Sequence, residues 1–112
     1  QTVQVNRYER NPEARAACIK HYRDASGQNE IRCQICEMNF EKTYGSFARD
    51  FIHVHHIKPV SEISESYEVN PITDLLPVCP NCHAMLHRNE NGVPMTVARL
   101  KLLFEVSANS RR

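Results

Sequence analysis

The chain has 112 residues, of which 41% are hydrophobic and 24% charged, so its length and composition favour one small soluble domain over two. It has no Trp, only four Phe and four Tyr, which predicts a modest core and favours a staple such as a metal ion or disulfides. The formal net charge of +1 excludes a strongly basic protein, so any surface for a nucleic acid must be a local patch.

The chain begins with Gln1 rather than Met and contains neither a signal-type apolar segment nor an apolar run long enough to span a membrane. We therefore expect a trimmed fragment of an intracellular, cytoplasmic protein that has no membrane partner. This expectation leaves open that the fragment is a module of a longer protein.

The N-terminal part of the chain predicts an arm followed by a helix. Residues 1–10 alternate weakly between apolar and polar side chains, which fits a short strand or an ordered arm. Asn11 and Pro12 have the character of an N-cap and a first-turn proline. They predict a helix that runs to about Tyr22 and is followed by a loop over residues 24–29.

Five cysteines are present, and four of them form two CxxC pairs, which are Cys33, Cys36, Cys79 and Cys82. An odd count with two such pairs favours a metal site plus one free thiol over a disulfide framework. Each pair lets one turn present two sulfurs to a tetrahedral ion, and two knuckles supply the four thiolates that zinc prefers in structural sites. The alternative, redox-active pairs, needs a thioredoxin-like βαβ context that the sequence does not show. The fifth cysteine, Cys18, is expected to be a small buried hydrophobic residue of the first helix.

A folded insert is expected between the two knuckles, because the interval is longer than in a short zinc ribbon. Residues 41–50 carry aromatic residues at near-helical spacing and predict a short helix interrupted by a glycine. Residues 51–57 are rich in β-branched and apolar residues and predict the clearest strand of the chain, which ends before Pro59. Residues 60–74 predict a structured loop.

The second knuckle opens the last part of the chain. Residues 75–78 lead into it, and residues 80–88 are expected to form a helix that begins at the knuckle. Residues 91–92 (Asn-Gly) predict a turn, and Thr96 is a plausible N-cap for a closing amphipathic helix. The tail, residues 107–112, is expected to be frayed.

Five of the six histidines fall in two short segments, namely the predicted strand and the helix after the second knuckle. Alternate residues of a strand point to opposite faces, so His53 and His55 share one face and His56 points to the other. His83 and His87 stand four residues apart in a helix, a spacing that lets both imidazoles reach one metal ion. With a third ligand from the strand end, such a set has the open positions of a catalytic metal site.

The string IHVHHIKPVSE, followed by DLLPVCPNCHAMLH, resembles the HNH endonuclease family, the ββα-metal finger nucleases, in the subset with two zinc-binding CxxC knuckles. The likeness covers roughly residues 31–88. It implies an α+β fold, a small ββα-metal (HNH) finger with flanking helices, stapled by a structural zinc. Residues 1–112 are then expected to be a single HNH nuclease domain, with the arm and first helix in 1–30 and the closing helix and tail in 89–112.

The resemblance also implies a role for individual residues. In that family the first residue of the central pair binds the catalytic divalent ion and the next histidine is the general base, which map to His55 and His56. The helix ligand maps to His83, and His87 resembles the further ligand of colicin-type nucleases. The family's middle Asn, which braces the loop bearing the base, falls at Asp74. An all-imidazole set is softer than one with a carboxylate, so Mn²⁺ or Ni²⁺ is expected to serve better than Mg²⁺.

The implied activity is divalent-metal-dependent hydrolysis of DNA phosphodiester bonds, in which His56 accepts a proton from water and the ion acts as a Lewis acid. DNA would be held chiefly through its phosphates, with little sequence reading, and one site per chain would nick one strand of a duplex. Lys58 and Arg88 are candidates for phosphate contacts, although a solvated surface cation is equally expected at each position. A DNA-targeting domain, fused to this one or working with it, is then expected as a partner.

Two alternatives stay open at this point. The first is a non-catalytic zinc-knuckle module that binds nucleic acid or protein, although such a module has no need of an imidazole such as His56 beside a ligand set. The second concerns His53, which is either a bystander or a partner of one of the metal ligands.

Overall fold

The computed structural model describes residues 12–57 and 69–111, and every element named below lies within those ranges. The helices are α1 (Pro12–Ser26), α2 (Phe40–Tyr44), α3 (Pro80–Leu86) and α4 (Val97–Ser110), with a 3₁₀ turn at Ser46–Ala48. The strands are β1 (His53–His56), β2 (Leu75–Val78), β3 (Asn89–Glu90) and β4 (Val93–Pro94). β1 pairs with β2 and β3 with β4, both antiparallel. This mixture of helices and short antiparallel strands confirms the predicted α+β class.

Some sequence predictions lie outside the described ranges. They are the arm of residues 1–10, the Asn11 cap, Lys58, and most of the loop predicted for residues 60–74. None of the helices among the described residues is long and apolar enough to cross a membrane.

Helix α1 is longer than predicted, because it continues past Tyr22 and takes in residues 24–26, which we had expected in a loop. Lys20 Nζ donates to Asp24 Oδ2 over 2.7 Å, an i,i+4 pair that supports the additional turn. The helix ends where Gly27 adopts a φ of +72°, and the Gly27 N–H donates to the Asp24 carbonyl over 3.3 Å. A left-handed glycine just past the last turn is a common way to end a helix.

Two arginines fasten α1 to the segment that enters β1. Arg15 Nη1 donates to the Ile52 carbonyl over 2.8 Å, and the buried Arg23 guanidinium bonds the Asp50 carboxylate. Beneath these contacts Ile19 packs in a small core with Ile52. The helix therefore fixes the direction in which the chain enters β1.

The helix predicted for residues 41–50 is divided at Gly45. Helix α2 begins at its cap residue Asn39, whose side-chain oxygen accepts from the Lys42 N–H over 3.1 Å. It ends at Gly45, which has a φ of +85°, and the 3₁₀ turn follows directly. The glycine lets the chain reverse direction and return toward β1.

Strand β2 was not predicted as a strand, because it contains Pro77, which cannot donate to a ladder. In the β1–β2 register His53 faces Val78 and His55 faces Leu76. The Pro77 carbonyl accepts from the Gln34 N–H of the first knuckle over 3.0 Å. The N and the carbonyl of one residue point to the same side of an antiparallel strand, so Pro77 turns its missing donor away from β1 and leaves the pairing intact.

After the second knuckle, the end of α3 and the C-terminal tail differ from prediction, whereas the turn of residues 91–92 and the Thr96 cap agree with it. Helix α3 ends at Leu86, two residues before the predicted end. Residues 91 and 92 both have positive φ, 51° and 81°, as a tight hairpin turn requires, and Thr96 caps α4 by accepting from the Arg99 N–H over 3.1 Å. The expectation of a frayed tail from residue 107 was wrong, because α4 continues to Ser110 and its last carbonyls accept from the Arg111 N–H.

Two candidate metal centres

The four cysteines of the two knuckles come together, with their sulfurs within 4.8 Å of one another. Cys36 Sγ and Cys79 Sγ are 3.6 Å apart, which is far longer than the S–S bond of about 2 Å in a disulfide. Sulfurs around a tetrahedral zinc with Zn–S bonds of about 2.3 Å would stand about 3.8 Å apart. The cysteine cluster therefore has the composition and size of a structural zinc site.

Backbone amides and burial shift the pKa values of these thiols. Although burial opposes ionisation of Cys33, the amides that donate to its sulfur, including that of Cys36, keep the pKa of this thiol below its usual value. Burial, and then the charge of Cys33, raise the pKa of Cys36 to about 11. Crowded thiols of this kind favour ionisation together only when a divalent cation neutralises them. The donor set thus fits zinc chemically as well as by its size.

The same cysteines belong to the larger apolar core of the described residues. This core joins the first knuckle, β2, α3 and α4, and its buried members are Cys33, Ile35, Val78, Cys79, Cys82, Leu86 and Leu100. Cys79 also caps α3, since its sulfur accepts from the Cys82 N–H over 3.3 Å. The cysteine cluster thus lies where four elements meet. The remaining cysteine, Cys18, is fully buried in α1, as predicted.

A second group of ligands lies where β1 meets α3. It comprises His55 from strand β1, His83 from helix α3 and His87, which directly follows α3, with one nitrogen of each within 4.8 Å of the others. The His83 Nε2 and His87 Nε2 atoms are 3.1 Å apart. Imidazole nitrogens bound to one ion at about 2.0–2.1 Å would stand about 3.0–3.4 Å apart. The structure therefore brings together the three histidines that the sequence suggested as ligands.

The electrostatics of this histidine cluster also fit a cation. Burial and the neighbouring imidazoles lower the pKa of His55 to about 4, and the same causes lower that of His83 to about 4. Both rings are therefore neutral at pH 7, with a lone pair free to bind an ion. His55 is 9% exposed, and its buried Nδ1 has no hydrogen-bond partner among the described residues. A buried ring nitrogen without a partner is costly unless something satisfies it, and a bound ion that accepts its lone pair would do so.

His56 is the last residue of β1 and is half-buried. It faces Leu75 across the sheet. Its imidazole lies close enough to the cluster to contribute to the lowered pKa of both His55 and His83. The imidazole at position 56 is thus beside the ligand set without being part of it.

Asp74 lies directly before β2 and joins the preceding turn to the end of β1. Its backbone carbonyl accepts from the Ile57 N–H over 2.9 Å, so the bond falls on the residue that follows His56. Its carboxylate Oδ2 accepts from the Asn70 N–H over 2.9 Å and closes the turn of residues 70–74. Asp74 therefore links the turn of residues 70–74 to the residue that follows His56.

The two candidates for phosphate contacts stand differently. Lys58 lies outside the described residues, so its position is not part of the structure. Arg88 is exposed and directly follows His87, and its N–H donates to the Met85 carbonyl over 3.1 Å, just beyond the end of α3. Arg88 therefore lies beside His87, and its guanidinium has no hydrogen-bond or ion-pair partner among the described residues.

One contact was left open by the sequence. His53 Nδ1 lies 2.9 Å from His83 Nδ1, and the two rings meet edge to face with centroids 5.1 Å apart. The signal was already in the sequence, because His53 and His55 share a strand face that α3 covers. The sequence did not show how α3 lies across β1, and this packing decides that the His53 side chain contacts His83.

Two antiparallel strands followed by a helix, with an imidazole cluster at their junction and four cysteines beneath, define a zinc-stapled ββα finger. A sequence profile described as HNH endonuclease matches residues 33–89, just over half of the chain. The chain therefore belongs to the HNH endonuclease family, as the sequence resemblance implied. Membership in this family supports a nuclease activity and a nucleic-acid substrate. Comparison with curated proteins and with solved structures gives no match.

Proposed function

We propose that this protein is a divalent-metal-dependent endonuclease that nicks one strand of duplex DNA, with His56 as general base and His55, His83 and His87 as ligands of a single catalytic ion. The observation that carries the proposal is the convergence of three imidazoles from both arms of the ββα finger. The lowered pKa values of His55 and His83 and the unpartnered Nδ1 of His55 support ion binding rather than a structural packing role.

A second observation supports catalysis rather than binding alone. Three protein ligands leave open positions on a divalent ion, whereas the four cysteines already complete a tetrahedral zinc sphere. When bound, the ion supplies Lewis-acid stabilisation of the scissile phosphate and of the leaving oxygen. Because the candidate ligands among the described residues are all imidazoles, we expect Mn²⁺ and Ni²⁺ to be preferred to Mg²⁺, whose usual ligands are oxygens.

The chain's own residues then have separate tasks. His56 accepts the proton of the attacking water at a ring nitrogen, a function that suits an imidazole near neutral pH. Asp74 holds the chain just after His56 through its carbonyl bond to the Ile57 N–H, which limits the positions His56 can adopt. Arg88, exposed beside His87, offers a phosphate contact, and we assign the same role to Lys58.

We expect a local basic patch to hold DNA through its phosphates, because the net charge of the chain is only +1 and does not by itself attract DNA. Affinity should therefore fall as salt rises, with little dependence on DNA sequence. We place residues 1–112 in a single HNH domain that acts in an intracellular setting, alone or with a DNA-targeting domain.

A plasmid assay tests the proposal. Zinc-loaded protein, dialysed free of other divalent ions and with its zinc content verified, is incubated with supercoiled DNA and added Mn²⁺, Ni²⁺ or Mg²⁺. Nicked circles should accumulate before linear DNA, and faster with Mn²⁺ or Ni²⁺ than with Mg²⁺. His56→Ala should slow nicking about 10²–10⁴-fold, as expected for loss of a general base, without changing zinc content. His21→Ala is the matched control, because His21 lies in α1 against Tyr22, away from the cluster, and should nick like wild type.

The outcomes separate the alternatives. DNA binding without nicking under any of the three ions would favour the non-catalytic zinc-knuckle module. Nicking by His56→Ala at the wild-type rate would remove the general-base assignment while leaving the ion site in place. Linear DNA as the first product would contradict single-strand nicking by one site.

A further inference from the structure

The imidazole of His83 is held at both of its nitrogens. Its Nε2 lies 3.1 Å from His87 Nε2, within the candidate ion site, and its Nδ1 lies 2.9 Å from His53 Nδ1, on the opposite side of the ring. The His55 ring contacts both His83 and His87, with centroids 5.5 Å from each. His83 thus stands between the ion site and His53.

The proton count of a neutral imidazole sets the direction of the second contact. Such a ring carries one N–H and one lone pair. If His83 Nε2 offers its lone pair to an ion, the proton must lie on Nδ1, and this N–H has His53 Nδ1 as its acceptor at 2.9 Å. His53 must then carry its own proton on Nε2.

The competing arrangement makes His53 a ligand of a second ion through the paired Nδ1 atoms. That arrangement would require lone pairs at both nitrogens of His83, and therefore a fully deprotonated imidazolate. A hydrogen bond needs no such deprotonation, and 2.9 Å is an ordinary hydrogen-bond length between nitrogens. The hydrogen bond is therefore the simpler assignment.

His53 is itself held in place. It faces Val78 in the β1–β2 ladder, and its ring meets the edge of Phe51 with centroids 6.2 Å apart. Phe51 in turn packs edge to face on Phe40, with centroids 5.0 Å apart. A ring fixed by its strand and by an aromatic neighbour can hold its hydrogen-bond partner in one orientation.

We infer that His53 is a positioning residue for the ion site, because it accepts the Nδ1–H of His83 and so fixes the tautomer and the ring orientation in which His83 presents Nε2 to the ion. This inference rests on the proposed ion site. Groups that hold the second nitrogen of a metal-binding histidine typically change metal affinity about 10–100-fold when removed. More often that group is a carboxylate or a carbonyl, and in this chain it is an imidazole.

The test compares two replacements of His53 by isothermal titration of Ni²⁺ into zinc-loaded protein. His53→Leu fills the space but has no acceptor, and it should weaken Ni²⁺ binding about 10–100-fold. His53→Asn places an oxygen close to the position of Nδ1 and should return the affinity to within a few-fold of wild type. Zinc content and melting temperature should be the same in all three proteins, which excludes a folding effect.

Long-range ¹H–¹⁵N spectra of the wild type with one further equivalent of Zn²⁺ supply a signature that packing alone would not give. His83 should show a protonated Nδ1 and a ligated Nε2, and His53 should show a protonated Nε2. Equal Ni²⁺ affinity in His53→Leu and wild type, or a ligated Nδ1 on His53, would overturn the inference alone. A wild type that binds no Ni²⁺ beyond the structural zinc would overturn the ion site itself, and the inference with it.

Discussion

At the scale of single residues, a buried nitrogen in the histidine cluster lowers the stability of the fold. His55 is the buried member of the cluster, and its Nδ1 has no hydrogen-bond partner among the described residues. A buried polar group without a partner costs about 1–3 kcal/mol. The unpartnered nitrogen is therefore destabilising, and the proposed ion would offset that cost, which has a measurable consequence.

We predict that the order of stability of wild type and His55→Leu reverses when a divalent ion is added. Without the ion, His55→Leu removes an unsatisfied nitrogen and should melt about 4–8 °C above wild type, the shift that about 1 kcal/mol gives in a domain of this size. With Ni²⁺ at about 100 times its dissociation constant, wild type alone should gain about 2.7 kcal/mol. Differential scanning calorimetry of zinc-loaded protein, with and without Ni²⁺, measures both arms.

His87→Leu is the matched control for this crossover, because His87 belongs to the same cluster but is exposed. It should lose the Ni²⁺-dependent rise in melting temperature without gaining stability in the absence of the ion. If His55→Leu melts well below wild type in the absence of Ni²⁺, the cost assigned to the unpartnered nitrogen is wrong.

At the scale of elements, local signals located each helix, and contacts distant in sequence account for two features that the sequence did not predict. The Thr96 cap and the Asn-Gly turn of residues 91–92 were predictable because their signals lie within four residues. The end of α1 was not, because Arg23 is buried by bonding Asp50, far along the chain. Strand β2 was missed for a similar reason, since only its partner, the Gln34 N–H of the first knuckle, makes Pro77 acceptable in a strand.

The candidate site shows the same division. The spacing of His83 and His87 is a local pattern that suggested both as ligands, and the resemblance to the HNH family added His55. The 2.9 Å contact of His53 with His83 depends on how α3 lies across β1. Periodicity predicts the face on which a residue lies, but not the residue that it contacts. Alternation on a strand indicated that His53 shares a face with His55, and no more.

The turn of residues 70–74 precedes β2 and bonds the residue that follows His56, and it yields the second prediction. The Asp74 carboxylate accepts from the Asn70 N–H, while the Asn70 side-chain oxygen accepts from the Ile72 N–H over 2.9 Å. Asp74→Ala should lower the free energy of unfolding by about 1 kcal/mol through loss of one such bond. Its nicking rate should fall further than that of Asp74→Asn, which keeps an acceptor oxygen. Chemical denaturation and the plasmid assay measure the two effects.

Asn70→Ala loosens the same turn from its other end, because the Asn70 side-chain oxygen accepts from the Ile72 and Thr73 N–H groups. If Asp74 acts by bracing, Asn70→Ala should reduce nicking in the same direction as Asp74→Ala, with Ni²⁺ affinity unchanged in both. Equal nicking by Asp74→Ala and wild type would show that the position of His56 does not depend on this turn.

At the scale of the whole molecule, the larger apolar core of the described residues is organised around the four knuckle cysteines. The chain has no Trp and few other aromatic residues, so apolar burial alone offers a small margin of stability. Binding of zinc by four thiolates adds its free energy to folding, because the unfolded chain holds no formed site. Zinc should therefore be required for the fold itself, whereas the ion of the histidine cluster is required only for activity.

This difference gives the third prediction, which compares Cys79→Ala with Cys18→Ala. Cys79 belongs to the cysteine cluster and caps α3, so its replacement should abolish cooperative melting and zinc retention. Cys18, fully buried in α1 with a thiol pKa that burial raises to about 11, should be replaceable with full zinc content and a loss of about 1 kcal/mol. Thiol titration should find all five cysteines unreactive in zinc-loaded protein and all five reactive once zinc is chelated. A Cys79→Ala protein that melts like wild type would show that the core stands without its zinc.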